Sequence, residues 1–214
     1  MVYIDSIFFD IDGTLIDARG DIVTAMNYAL REMGFPEKPF EEIISYVGTG
    51  VTYLISKSLG SDDDSLVAKG VELYAGYYVA HPADKASLFP HAREILEHFK
   101  KKRKIILTNR YTNFAEPVLN ALGIRGYFED IVGGDDENCL KPSACVLDPI
   151  VSKLHIDRSK SLIVGDMAID IMTGKNSGIK TCWVRHGLGK AEDVQPLKPD
   201  FVISDLMELI NIIR

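Results

Sequence analysis

Cysteine, basic charge and long apolar runs are all scarce in this chain of 214 residues, and each shortage removes a class of explanation. Three cysteines, Cys139, Cys145 and Cys182, are too few and too scattered for a disulfide framework or a metal-binding cluster, so a reducing compartment is expected. Lysine and arginine number 24 against 31 aspartates and glutamates, and the net charge of −7 repels polyanions, which argues against nucleic acid or an anionic membrane as partner. The one dense basic run, Lys100–Lys104, falls between a helical pattern and an apolar strand and reads as a solvated face that complements a helix dipole. No apolar run approaches the ~20 residues of a membrane span, and the opening MVYIDSIFFDIDG lacks the basic region of a secretory signal, so a cytoplasmic location is expected.

What is present is the composition of a packed globular protein, with 46% hydrophobic and 26% charged residues. Four short apolar runs read as buried parallel strands: Tyr3–Phe9, Lys104–Leu107, Ser161–Val164 and Lys180–Val184. Two weaker ones cover Phe128–Val132 and Phe201–Ile203. The intervening helical patterns suit crossover connections, which predicts an α/β fold with a doubly wound, Rossmann-like parallel sheet. Residues 18–82 are different. Ile22, Met26, Ala29, Leu30 and Met33 recur at helical spacing with Gly34 as a stop, and further helices are expected over Glu41–Val47, Val51–Leu59 and Ser65–Ala80, the last capped from Ser61–Asp64. The expected organisation is a core of residues 1–17 and 83–214 with an inserted all-helical cap over 18–82.

Ligands of doubly wound sheets bind beyond the carboxyl ends of the strands, so the residues that follow each apolar run carry the functional argument. The first run ends in Asp10 and Asp12, the second in Thr108 and Asn109, the third in Gly165 and Asp166, with Asp170 one helical turn later. Carboxylates brought together repel unless a cation neutralises them, and hard oxygen donors suit Mg²⁺. Singly, each of these residues is an ordinary cap or turn former; the agreement of three strand ends points to a site.

FFDIDGTLID at residues 8–17 resembles the first signature of the haloacid dehalogenase superfamily of phosphotransferases. IILTNR at 105–110, the lysine of LKPS at 140–143 and VGDMAID at 164–170 resemble the other three in the family's order, and the helical insertion resembles the cap of its phosphoglycolate phosphatase-like branch. The resemblance implies a Mg²⁺-dependent phosphatase acting on a small phosphorylated metabolite, a phosphoglycolate-like monoester, through an aspartyl phosphate on Asp10. Asp12 would be the general acid and base; Asp10, the Asp12 carbonyl and Asp166 would hold the metal with Asp170 behind them; Thr108, Asn109 and Lys141 would bind the phosphoryl group, Lys141 also balancing charge in catalysis. Pro90–His91 stands where close relatives usually have Pro-Gly, and Ala144 where a second proline is common, so the subfamily stays open. A phosphomutase or pyrophosphatase of the same superfamily is the alternative; a receiver-type phosphoacceptor module is disfavoured because it needs no inserted cap.

The remaining candidates divide between shaping the site and packing. Thr14 is expected to shape the turn near Asp12, Arg19 to be an exposed linker residue, the alternative being contact with an anionic substrate, and Gly48-Thr49-Gly50 to form a loop able to close over the site. Tyr74, Tyr77 and Tyr78 at helical spacing suit helix packing, and the five histidines show no metal spacing. Neither the substrate nor the oligomeric state is legible.

Overall fold

Short strands that are apolar at nearly every position dictate a sheet that is buried on both faces, and the computed structural model, which describes residues 1–214, shows one. Six parallel strands, β1 (Ser6–Phe9), β4 (Arg103–Leu107), β5 (Asp130–Val132), β6 (Ser161–Gly165), β7 (Lys180–Val184) and β8 (Phe201–Ile203), stand in the order β5-β4-β1-β6-β7-β8. On one face Ile7, Phe9, Ile106, Leu162 and Val164 join a continuous apolar cluster; on the other Phe8, Ile105, Leu107 and Ile163 pack against Val146, Leu147 and Ile150. The period of two thus assigns successive residues to opposite layers.

β1 lies between β4 and β6, with Phe9 opposite both Ile106 and Val164. The three strands therefore end together, and whatever follows Phe9, Leu107 and Gly165 shares one crevice. Helices α5 (Ala92–His98), α6 (Thr112–Ala121), α7 (Asp148–Leu154), α8 (Ala168–Ser177) and the short α9 (Ala191–Val194) and α10 (Leu209–Ile212) cover the sheet.

Between β2 (Ile16–Asp17) and β3 (Ser87–Leu88), which pair as a two-stranded antiparallel ribbon, the chain is helical: α1 (Arg19–Glu32), α2 (Phe40–Ile44), α3 (Val51–Leu59) and α4 (Asp64–Ala80). The ribbon is absent from the sequence reading because two residues are too short a run to show alternation. Gly34 takes φ +79° after α1, and Asp63 caps α4 by accepting from the Ser65 and Leu66 amides at 3.0 and 2.9 Å. The insert has no separate core: Met26, Leu54, Ile55 and Tyr74 belong to the same cluster as Ile7 and Phe9.

Two local expectations are corrected. Cys139 and Cys145 are joined in a disulfide, Cα–Cα 5.7 Å, because the segment turns back on itself, Ser143 N–H donating to the Leu140 carbonyl at 2.8 Å. Cysteine usage therefore no longer argues for a reducing compartment. Within the basic run, Lys104 is buried, its Nζ donating to the Phe99 carbonyl at the end of α5, so that residue is a capping cation rather than a solvated one. His91 adopts φ +61°, the left-handed conformation that the glycine of close relatives would take without strain, and its Nδ1 lies 2.8 Å from Asp205. No helix is long and apolar enough to cross a membrane.

Candidate active site

At the carboxyl end of β1 the chain leaves the sheet in a tight turn, with the Asp10 amide donating to the Val164 carbonyl of β6 at 3.0 Å and Gly13 at φ +88°. The turn sets Asp10 and Asp12 into one cleft, with Thr108, Asn109, Arg110 and Lys141 on its walls. Oxygens of Asp10, Asp166 and Asp170 come within 4.8 Å of one another, all three residues buried.

Lys141 sits between them. Its Nζ donates to Asp10 at 2.7 Å, to Asp170 at 2.7 Å and to the Leu107 carbonyl at 3.1 Å, which uses all three ammonium donors. Burial disfavours the ammonium, but Asp10 and Asp170 outweigh it and hold the lysine charged far above neutrality. One cation against three carboxylates leaves a surplus of negative charge. Burial, then the neighbouring Asp170 and Asp166, push the Asp10 carboxyl well above the usual carboxylate range, and burial and Asp170 push Asp166 up to about 7. Asp10 Oδ2 takes no hydrogen bond from the protein. A hard divalent cation fits this donor set, because it would neutralise the surplus with oxygens that already converge.

Asp166 is fixed from several directions. Thr14 Oγ1 donates to Oδ1 at 2.9 Å, the Leu188 amide to Oδ2 at 2.6 Å, and Trp183 Nε1 to its carbonyl at 2.9 Å. Thr14 therefore serves Asp166, not the neighbourhood of Asp12 where the sequence put it. A β-carbon on Gly13 would lie 2.3 Å from Asp166 Oδ2, one on Gly187 2.2 Å from the same atom, and one on Gly189 1.9 Å from the Asp166 carbonyl. Asp170 accepts the Met167 amide at 2.9 Å as α8 begins, while its other oxygen faces Lys141.

Thr108 lines the cleft beside Asp10, its hydroxyl oxygen accepting the Arg110 amide at 3.1 Å and its O–H still able to donate. The Asn109 side chain has another use than the expected one. Its Nδ2 donates to the Gly48 and Lys141 carbonyls, both at 3.0 Å, and its Oδ1 accepts the Lys141 amide at 2.8 Å. Asn109 thus buttresses the backbone of Lys141 and ties down the Gly48-Thr49-Gly50 loop, leaving no amide proton to donate to a phosphoryl oxygen. Arg19 pairs with Asp17 at 2.6 Å near a separate outer depression and does not line the cleft.

The family model for haloacid dehalogenase-like hydrolases matches residues 7–184. The chain belongs to this family. Phosphoglycolate phosphatases from Vibrio parahaemolyticus and Aquifex aeolicus are 32% and 33% identical to it, the alignments covering 97% and 96% of this chain and 95% of each relative. Among solved structures, a predicted phosphoglycolate phosphatase from Haemophilus somnus superposes with a TM-score of 0.91 at 23% identity over 99% of both chains. A haloacid dehalogenase-like family hydrolase from Streptococcus pneumoniae gives 0.85 at 26% identity, also over 99% of both. The chain is an enzyme of the hydrolase class with this family's fold.

Two residues of this haloacid dehalogenase-like hydrolase escaped sequence reasoning. Arg110 is buried and grips Asp12 in a forked pair, Nε to Oδ2 at 3.0 Å and Nη2 to Oδ1 at 2.6 Å. Its Nη1 donates to the Tyr78 hydroxyl, and its guanidinium lies 4.8 Å from the Tyr78 ring centroid. Tyr78 in turn stacks on Tyr74 at 5.6 Å. The signal available for Arg110 was its place directly after Thr108 and Asn109 at a strand end; for Tyr78 the helical spacing of the tyrosines gave packing but not the hydroxyl's partner.

Proposed function

We propose that this hydrolase is a Mg²⁺-dependent phosphatase that cleaves a small phosphorylated metabolite, a phosphoglycolate-like monoester, through an aspartyl phosphate on Asp10. The reading is carried by one observation: Asp10, Asp166 and Asp170 converge on Lys141 at the ends of adjacent strands, with one Asp10 oxygen left free in the cleft. Relatives named phosphoglycolate phosphatase at about one third identity over nearly the whole chain support the substrate class.

In this mechanism the free Asp10 oxygen attacks phosphorus, the ester bond breaks, and its electron pair leaves on the substrate oxygen, which takes a proton from Asp12. Asp12 then removes a proton from water, the water oxygen attacks phosphorus, and Asp10 departs with release of inorganic phosphate. The forked contact from Arg110 fixes the direction in which the Asp12 carboxyl points. Thr108 donates its hydroxyl proton to the transferring group, and Lys141 holds positive charge against Asp10 throughout. The residues that would hold Mg²⁺ are Asp10, the Asp12 carbonyl and Asp166, supported by Asp170. Bound there, it supplies the positive charge that lets a carboxylate approach a phosphate dianion. The helices of residues 18–82 act as a cap over a core of residues 1–17 and 83–214, enclosing the substrate against water.

A panel of phosphoglycolate, pyrophosphate, nucleotides and sugar phosphates in Mg²⁺ buffer tests this. Multiple turnovers of inorganic phosphate from a small monoester are expected; a single stoichiometric burst, or phosphoryl return to a sugar, would refute the assignment.

A further inference from the structure

The cleft holds two cations, and the proposed phosphatase mechanism leaves one of them with unspent donors. Lys141 directs its three N–H groups at Asp10, Asp170 and the Leu107 carbonyl. Arg110 directs three of its five N–H groups, two at Asp12 and one at Tyr78, which leaves two. Much of the same cleft is apolar: Ile22, Val47, Val51, Leu54 and Tyr74 line it from the helical insert, with Met167 and Ile169 from the body. Such walls exclude the water that would otherwise hydrate a charged substrate tail, and they strengthen whatever charge interaction remains. The cleft is otherwise acidic, containing Asp10 and Asp12 with Asp166 and Asp170 close by, so a substrate with a second negative charge needs a cation away from the phosphate end.

Resting on the phosphatase reading above, we propose that Arg110 selects the substrate, its unspent guanidinium N–H groups pairing with a carboxylate that the phosphate ester carries on its leaving-group side. A guanidinium matches a carboxylate by two parallel hydrogen bonds, a geometry that a neutral hydroxyl tail cannot reproduce. The insert's own arginines do not compete for the role: Arg19 is committed to Asp17 outside the cleft, and Arg31 pairs with Glu37. The pairing is intrinsic to the β4 end of the body, so the apolar insert need contribute no charge of its own to recognition.

The test compares kcat/KM for phosphoglycolate and for 2-hydroxyethyl phosphate, which replaces the carboxylate by a hydroxymethyl group, in the wild type, Arg110→Gln and Arg110→Lys. The wild type should favour phosphoglycolate by about 100-fold or more, since a site built to pair a charged group rejects an analogue that lacks it. Arg110→Gln should erase that preference, mostly through KM, with Arg110→Lys between the two. An equal loss on both substrates would mean that Arg110 acts only by orienting Asp12, and would overturn the proposal. Should Arg110→Gln fail to fold, inhibition of the wild type decides: glycolate should compete with substrate at concentrations where ethylene glycol does not, and equal indifference to both refutes the assignment. If the wild type hydrolyses 2-hydroxyethyl phosphate as well as phosphoglycolate, the selection by Arg110 fails while the phosphatase stands; if it hydrolyses neither, nor p-nitrophenyl phosphate, the phosphatase reading itself has failed.

Discussion

The sheet and its helical insert contribute to the cleft in opposite ways. Every charged group in it comes from the body: Asp10 and Asp12 after β1, Arg110 after β4 and Lys141 before α7, with Asp166 after β6 buried close behind them. The insert supplies Ile22, Val47, Val51, Leu54 and Tyr74, and its polar contacts with the site residues are the Gly48 carbonyl and the Tyr78 hydroxyl. Under the proposed function, chemistry rests on strand ends whose positions are locked by neighbouring strands, while most of the apolar wall comes from helices that can change residue by residue, with Met167 and Ile169 of the body completing it. That division explains how one reaction can serve many substrates within a fold.

The comparison would break first at Asp10. Asp10→Asn should lower kcat by at least about four orders of magnitude, the scale seen when a nucleophile is removed. The fold should survive, because the substitution removes one of three mutually repelling carboxylates. Far-ultraviolet circular dichroism and Tm measured beside phosphate release check both halves, and normal turnover in this variant would sink the mechanism.

A smaller effect comes from the body's surplus charge. With Asp166 held near 7 against an ordinary 3.8, the metal-free native chain binds more protons than the unfolded chain across that window, so this carboxyl's contribution to stability is full at low pH and is lost as pH rises towards 7. Saturating Mg²⁺ should cancel the loss, so the gap between Tm with Mg²⁺ and Tm with chelator should widen from about pH 4 to about pH 7. A gap that stays constant over this range would show that these carboxylates do not share a cation.

The insert should give the smallest response. Tyr78→Phe removes the acceptor of one Arg110 hydrogen bond and should cost about 1–2 kcal/mol of stability, with less than about a tenfold change in kcat. A collapse in kcat comparable to Asp10→Asn would show that the insert takes part in the chemistry and would erase the distinction.

The sheet was legible because buried parallel strands must be apolar runs, and β7 and β8 fall where Lys180–Val184 and Phe201–Ile203 placed them. The convergence of Asp10 and Asp166 was legible for the same reason, since strand ends in a doubly wound sheet share a crevice. Partners set by side-chain direction were not. Nothing in LTNR distinguishes an asparagine that props up Lys141 from one that meets a phosphate, nor shows that the following arginine turns back to Asp12. The Cys139–Cys145 bond escaped because reading cysteines by their number ignores a turn that brings two of them together.

The packing around Asp166 couples distant parts of the chain in their freedom to vary. Gly13 and Gly187 each leave room for its carboxylate that even one methyl group would take, and Gly189 does the same for its carbonyl. Gaining a side chain at any one of the three would displace the same acid, whichever loop changed first. Two loops, one after β1 and one after β7, are therefore bound to a common compositional rule, and substitutions there should fail singly while the insert's apolar lining tolerates exchange.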